Sequence, residues 1–234
     1  MENLCWNITH KCNSNCKHCF RELHEKDLTL EENIKKLYEL IKLGVAKITW
    51  SGGEPTGYEG IDELIKIAKE HGIYNKLVTN ASNFTDENSY EIVKYIDEIT
   101  FSIDTVDDEL NSQIGRGKNY FSHVKEVVRN LKEKYPKCRL SVNTIIMKPN
   151  LNLIEDIYNE IRKFGIKKWK LIQFCCFRGV AAENKEYFEI TDDEYVEVLE
   201  KYKRIEDNFE IVGHTAKEVE EEHIIVTSSG KIIK

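Results

Sequence analysis

The sequence predicts an α/β fold, a partial (β/α)6 barrel of parallel strands followed by a C-terminal helix and β-hairpin extension. Three observations carry this expectation. Short β-rich runs alternate with amphipathic helical stretches along most of the chain. Several helical stretches are followed by a glycine, where a left-handed C-cap is wanted. Polar residues recur on one face of strand after strand, opposite an apolar face.

Strands are expected at residues 5–9, 47–51, 76–79, 99–104, 139–147 and 167–174, and helices between them at 30–43, 61–71, 87–95, 120–134 and 153–164. In the first helix Leu30, Ile34, Leu37, Leu40 and Ile41 form one stripe at helical spacing. Gly44, Gly72 and Gly165 stand just past three of the helices. Such alternation implies a parallel sheet with right-handed crossovers. The strand faces then separate an open sheet from a barrel. Lys47, Thr49 and Ser51 oppose Ile48 and Trp50, while Ser102 and Asp104 oppose Phe101 and Ile103. Ser141 and Asn143 oppose Val142 and Thr144, and Lys168 and Lys170 oppose Trp169 and Leu171. A doubly wound sheet is apolar on both faces, because helices cover both. A recurring polar face points instead to a concave, solvent-filled interior, with the site near the C-terminal ends of the strands. The barrel core is expected over about 4–180 and the extension over about 181–234. Within the extension, 189–205 reads as a helix with Thr191 and Asp192 near its start. Residues 224–232 read as a hairpin around Ser-Ser-Gly, and the acidic run 218–222 as a solvated face.

Composition narrows the function classes. A chain of 234 residues, 41% hydrophobic and 32% charged, can bury one substantial core. A net charge of -7 argues against a general nucleic-acid surface and leaves room only for a local basic pocket. The N-terminal Met1-Glu2-Asn3-Leu4-Cys5-Trp6 lacks the basic segment and apolar run of a signal peptide, and no stretch has the length of a membrane-spanning helix. A cytoplasmic protein without a membrane partner is expected. In that reducing compartment, closely spaced cysteines hold a metal or do redox chemistry more often than they form disulfides.

Cys12, Cys16 and Cys19 form C-x3-C-x2-C directly after the first strand. A closed zinc site needs four ligands, so His10 or His18 would have to supply the fourth. A four-iron cluster held by three cysteines leaves one iron open, and thiol redox chemistry is the third reading. Cys138, Cys175 and Cys176 match no familiar ligand spacing and read as buried or local. The second motif is Thr-Trp-Ser-Gly-Gly-Glu-Pro-Thr-Gly at 49–57, after the second strand. Its adjacent glycines let the backbone approach a ligand, and Glu54 with the neighbouring backbone groups can receive an ammonium.

C-x3-C-x2-C after strand one and Ser-Gly-Gly-Glu-Pro after strand two resemble the radical S-adenosylmethionine (SAM) superfamily. The resemblance implies a single radical SAM domain over 1–234, with a [4Fe-4S] cluster on Cys12, Cys16 and Cys19. The open iron would chelate the amino and carboxylate groups of SAM, and Gly52, Gly53 and Glu54 would hold its ammonium. One electron, from a donor such as flavodoxin or ferredoxin, would then release a 5′-deoxyadenosyl radical that abstracts hydrogen from a substrate. Asn80 and Ser82 after strand three, and Ser102 at the end of strand four, match positions that line SAM in such enzymes. Read from the residues alone they are equally ordinary caps.

A closer resemblance runs past these motifs. Residues 101–117, 141–146, 167–174 and 188–195 resemble the viperin family in order and separation, so that the likeness covers roughly residues 7–195. It implies conversion of a nucleoside triphosphate to its 3′-deoxy-3′,4′-didehydro form, an antiviral chain terminator, by abstraction of the ribose 4′-hydrogen and loss of the 3′-hydroxyl as water. Lys47, Arg116 and Lys170 match basic positions around the viperin nucleotide, and Asn143 matches a polar one. A triphosphate needs such converging cations and amide donors. Two departures stand out. Viperins carry a lysine two residues before the asparagine, where this chain has Ser141, and the chain ends at Lys234, short of the viperin C-terminal segment. They imply weaker binding, another nucleotide, a diphosphate or a different substrate, with Lys168 the neighbour that could compensate. The alternatives are a radical SAM enzyme acting on another anionic small molecule or a peptide and, remotely, a zinc-stabilised binding protein without turnover.

Overall fold

The computed structural model describes residues 3–20, 26–203, 208–221 and 224–233. Strand and helix alternate as β1 (Asn3–Thr9), α1 (Leu30–Lys42), β2 (Lys47–Gly52), α2 (Ile61–Glu70), β3 (Tyr74–Thr79) and β4 (Glu98–Ser102). Then come α3 (Asp108–Gln113), α4 (Tyr120–Lys134), β5 (Arg139–Ile146), α5 (Ile154–Lys163) and β6 (Lys168–Gln173). The remainder is α6 (Gly179–Glu183), α7 (Lys185–Phe188), α8 (Asp192–Lys203), β7 (Glu210–His214), α9 (Ala216–Glu221), β8 (Ile225–Val226) and β9 (Ile232–Ile233).

The strands form one sheet in the order β7-β6-β5-β4-β3-β2-β1-β8-β9. Every pairing is parallel except the β8–β9 hairpin, and the sheet is open at β7 and β9. The expected partial barrel is therefore present, with one strand added at one edge and two at the other. One addition, β7, was not expected. The other is the expected hairpin, which lays β8 parallel to β1 through Cys5 and Trp6. The expected helix over 87–95 is a run of 3-10 turns capped by Asp86. Nine residues with an N-cap and apolar spacing fit either helix type on paper. The expected helix 189–205 begins later, at Asp192, and its last two positions lie outside the described residues, as does residue 222 of the acidic run.

Alternation along the strands sorts the side chains. Trp6, Ile48, Trp50, Leu77, Ile99, Phe101, Val142, Trp169 and Leu171 are fully buried beneath the helices, and Trp6 stacks on Trp50 at 5.4 Å between ring centroids. Leu37 and Leu40 of α1, Val124 and Leu131 of α4, and Ile157 and Ile161 of α5 complete this layer. Gly44, Gly72 and Gly165 adopt φ of +73°, +76° and +66°, as their C-cap positions require. The opposite face keeps Lys47, Thr49, Ser51, Asn143 and Lys170 half-buried around an interior. No helix among the described residues is long and apolar enough to cross a membrane.

Candidate active site

Two cavities border this interior. One, of about 170 Å³, lies at the C-terminal ends of the strands. It is lined by Cys12, Cys16 and Cys19, by Gly52, Gly53 and Glu54, and by Asn80, Ser102 and Arg116. The cysteine loop leaves β1 and is tied down from three sides. Gly53 N–H donates to the Thr9 carbonyl at 2.7 Å and Glu54 N–H to that of Lys11 at 2.9 Å. Lys17 N–H donates to the Ile114 carbonyl at 3.0 Å, and Ala181 N–H to that of Cys19 at 3.0 Å. A Cβ on Gly53 would sit 1.9 Å from the Lys11 carbonyl oxygen, and one on Gly115 2.1 Å from that of Asn15. Backbone meets backbone there, so only glycine allows the approach.

None of the three cysteines is in a disulfide, and all are half-buried. Burial pushes the Cys16 thiol up, while the Arg116 guanidinium pulls it down. Each histidine gives one ring nitrogen to a carboxylate, and His18 Nδ1 is buried without a hydrogen-bond partner. His10 Nδ1 lies 2.7 Å from Asp27 Oδ1, and His18 Nε2 lies 3.1 Å from Asp104 Oδ2. Among the described residues, no group of three or more His, Cys, Asp or Glu side chains is arranged to hold a single metal ion. Three thiols around a glycine-lined hollow, with no histidine grouped with them to close a single-ion site among the described residues, fit a cluster with one open iron.

Glu54 is buried and already committed. Its Oε1 accepts from the Thr56 hydroxyl at 2.6 Å and the Thr79 hydroxyl at 2.7 Å, and Oε2 from Asn80 N–H at 2.7 Å. This carboxylate therefore fastens the end of β3 to the glycine turn, whereas the sequence had offered it as an ammonium receptor. Asn80 Nδ2 donates to Asn13 Oδ1 at 2.9 Å and Ser14 Oγ at 3.1 Å, holding the cysteine loop from above. Ser82 closes a turn onto Asn80 Oδ1 and accepts from Asn13 Nδ2 at 2.6 Å, so it stands behind Asn80 rather than in the cavity wall. Ser102 ends β4 in the wall, and its carbonyl accepts from the Tyr120 hydroxyl.

Arg116 is placed differently from its expected role. It was grouped with Lys47 and Lys170, yet it lines the cysteine cavity and is ion-paired with Asp104, its Nε donating to Oδ2 at 2.9 Å. Asp104 is 1% exposed and also accepts from Ile145 N–H at 2.9 Å. Burial alone would raise the pKa of Asp104, but Arg116 and His18 hold it well below the usual carboxylate range. The sequence placed Asp104 on the polar face but gave no sign of these partners, because the contacts join separate loops.

Lys47, Asn143 and Lys170 do face the interior together. Ser102, Asn143 and Lys170 are abreast in the sheet register. Deeper along the strands, Lys76 Nζ lies 2.8 Å from Glu98 Oε1, and Ser141 Oγ donates to the same oxygen at 2.8 Å. Lys47 lies over the Tyr74 ring at 5.1 Å, and the Tyr74 hydroxyl donates to Glu98 Oε2 at 3.3 Å. Lys168 is paired with Glu210 of β7 at 2.7 Å. Burial, with Lys76, Lys168 and Lys47 close by, depresses the pKa of Lys170 to about 8. Neither Lys76 nor Glu98 was singled out from the sequence. The alternation of Lys76 with Leu77 carried the signal, and Glu98 falls just before the expected strand. The second cavity, of about 630 Å³, opens beneath this cluster and is lined by Glu98, Ser141, Lys168 and Glu210 among others.

Comparison with known proteins agrees with this layout. The chain is 31% identical over 94% of its length to an S-adenosylmethionine-dependent nucleotide dehydratase of Lacinutrix mariniflava, covering 48% of that protein. It is 28% identical, again over 94% of its length, to one of Flammeovirga pacifica, covering 78% of it. The chain thus spans about half of the first relative and more of the second. Streptococcus suis SuiB, solved bound to S-adenosylmethionine, superposes on 99% of this chain and 59% of its own with a TM-score of 0.79 at 18% identity, a likeness of fold. Residues 6–164 match the Radical SAM superfamily, and the chain belongs to it.

Proposed function

We propose that this chain is a viperin-like nucleotide dehydratase, converting a nucleoside triphosphate to its 3′-deoxy-3′,4′-didehydro analogue, a chain terminator of use in antiviral defence. The observation that carries this reading is the cationic interior below the cysteine cavity. Lys47 and Lys170 are half-buried there beside Lys76, and Lys170 has no carboxylate partner among the described residues. Desolvated ammonium groups kept in one hollow favour a polyanionic ligand. The likeness to nucleotide dehydratases over most of the chain supports the same choice.

Each residue then has a task. Cys12, Cys16 and Cys19 would hold the cluster, and the glycine turn would present backbone to the SAM methionine moiety. Glu54 and Asn80 would keep that turn and the cysteine loop in register. Ser102 and Arg116 would face the SAM carboxylate, Arg116 being kept in the wall by Asp104. When bound, the cluster and SAM supply a 5′-deoxyadenosyl radical at this end of the barrel. Asn143 and Lys170, abreast of Ser102, would hold the first phosphates and so place the ribose against the rim. Loss of the 4′-hydrogen, then of the 3′-hydroxyl as water with one further electron and a proton, completes the change. A flavodoxin or ferredoxin would suit as electron donor.

The test is anaerobic reconstitution with SAM, dithionite and each nucleoside triphosphate in turn, read by mass spectrometry. The expected products are 5′-deoxyadenosine and a nucleotide lighter by one water. 5′-Deoxyadenosine without a lighter nucleotide from any of them would overturn the dehydratase reading.

A further inference from the structure

Viperins carry a lysine where this chain has Ser141, yet the same place in the barrel holds another ammonium. The Ser141 hydroxyl and the Lys76 ammonium both bind Glu98 Oε1, each at 2.8 Å. They therefore stand within two hydrogen-bond lengths of one another. Lys76 reaches that point from β3, across β4, in a sheet where β3, β4 and β5 are neighbours. Ser141 is turned inward and buried by its contacts with Glu98 and with Thr100, at 2.7 Å. A longer side chain at position 141 would enter the room that Lys76 fills.

We propose that Lys76, held by Glu98, is the cation that meets the terminal phosphate of the substrate, in place of a lysine at position 141. This inference rests on the nucleotide reading above. Depth supports it. Asn143 and Lys170 lie level with Ser102 at the cofactor end, whereas Glu98 lies four residues deeper along β4, about 13 Å at the usual strand rise. A triphosphate whose ribose is at the rim would run down that length, its first phosphates near Lys170 and its last near Lys76. Charge supports it as well. The side chains of Lys76 and Glu98 are 13% and 6% exposed, and Glu98 is engaged by Lys76, Ser141 and Tyr74. With Lys47 and Lys170, three ammonium groups face this interior, and among the described residues only Lys76 of the three is ion-paired to a carboxylate, that of Glu98. Lys76 gives one N–H to Glu98 and keeps further donors for an anion. Lys168, the neighbour that sequence reasoning would recruit, is turned to Glu210 instead. Glu98 is thus a positioning residue, and Lys76 the group that touches the ligand.

Inorganic tripolyphosphate and pyrophosphate separate this contact from recognition of the base. Their affinities, with those of the four nucleoside triphosphates, would be measured by titration calorimetry on wild type, K76M/E98Q and K76S/S141K. The first variant removes both charges together, so that no carboxylate is left buried and unpaired. The second moves the lysine to β5 while keeping it beside Glu98. K76M/E98Q is expected to bind tripolyphosphate about tenfold more weakly, the loss of one charge-assisted hydrogen bond, and to lose its preference over pyrophosphate. K76S/S141K is expected to recover both the affinity and the preference. Unchanged tripolyphosphate binding in K76M/E98Q, or failure of K76S/S141K to recover it, would overturn the inference and leave the dehydratase reading intact. Wild-type protein that binds no triphosphate at all would overturn both.

Discussion

The two ends of the barrel interior are built on opposite terms. At the cofactor end, the buried charges are answered within the protein: Asp104 by Arg116 and His18, Glu54 by Thr56, Thr79 and the Asn80 amide. Gly53 and Gly115 admit the cysteine loop so closely that a methyl group would collide with its backbone. Further inside, Lys76 is paired with Glu98 while Lys170 has no carboxylate partner among the described residues, and burial with repulsion from Lys76, Lys168 and Lys47 holds the Lys170 pKa at about 8. One end is fixed in shape before anything binds. The other stores unbalanced charge that an anion would relieve. A cofactor common to many reactions suits the first, and a substrate particular to one suits the second.

The most severe test of this contrast is Cys16→Ala. Loss of one of three cluster ligands should abolish 5′-deoxyadenosine formation and the brown absorption of reconstituted protein, whatever nucleotide is present. SAM cleavage at the normal rate in that variant would break the assignment of the rim.

Acid titration probes the deep end without mutation. Burial would raise the Glu98 pKa, but Lys76, Ser141 and Lys47 outweigh it and hold the group at about 2, against an ordinary 4.5. Its folded pKa lies below its unfolded one, so the stabilisation is fully present above pH 4.5 and is lost as pH falls towards 2. The shift corresponds to about 3 kcal/mol, and E98Q should flatten that part of the curve of stability against pH. Coincident curves for wild type and E98Q between those limits would show that the pair is not coupled to folding.

The smallest effect sharpens the contrast. Lys170→Ala should weaken tripolyphosphate binding about tenfold, one charge-assisted contact, while SAM binding stays within error. An equal loss of both would mean that the two ends are not separate sites.

Much of this division was legible in the sequence, but unevenly. The cysteine spacing and the glycine turn are local signals, readable because the chemistry needs those residues within a few positions of one another. The interior was legible through strand alternation, which placed Lys47, Asn143 and Lys170 on one face before any contact was known. Contacts between distant loops were not legible. Arg116 carries the same charge whether it meets a phosphate or Asp104, and only folding brings it to Asp104. Lys76 and Glu98 find each other across β3 and β4, at a position where neither belongs to a motif. β7 escaped notice because residues 210–214 form a short edge strand without full burial.

On the proposed reading one nucleotide spans both ends, with its ribose at the rim and its phosphates below. The most direct measurement supplies nucleoside triphosphate deuterated at C4′ and weighs the 5′-deoxyadenosine formed. One deuterium is expected in that product, together with a nucleotide lighter by water. Unlabelled 5′-deoxyadenosine formed alongside the dehydrated nucleotide would contradict it.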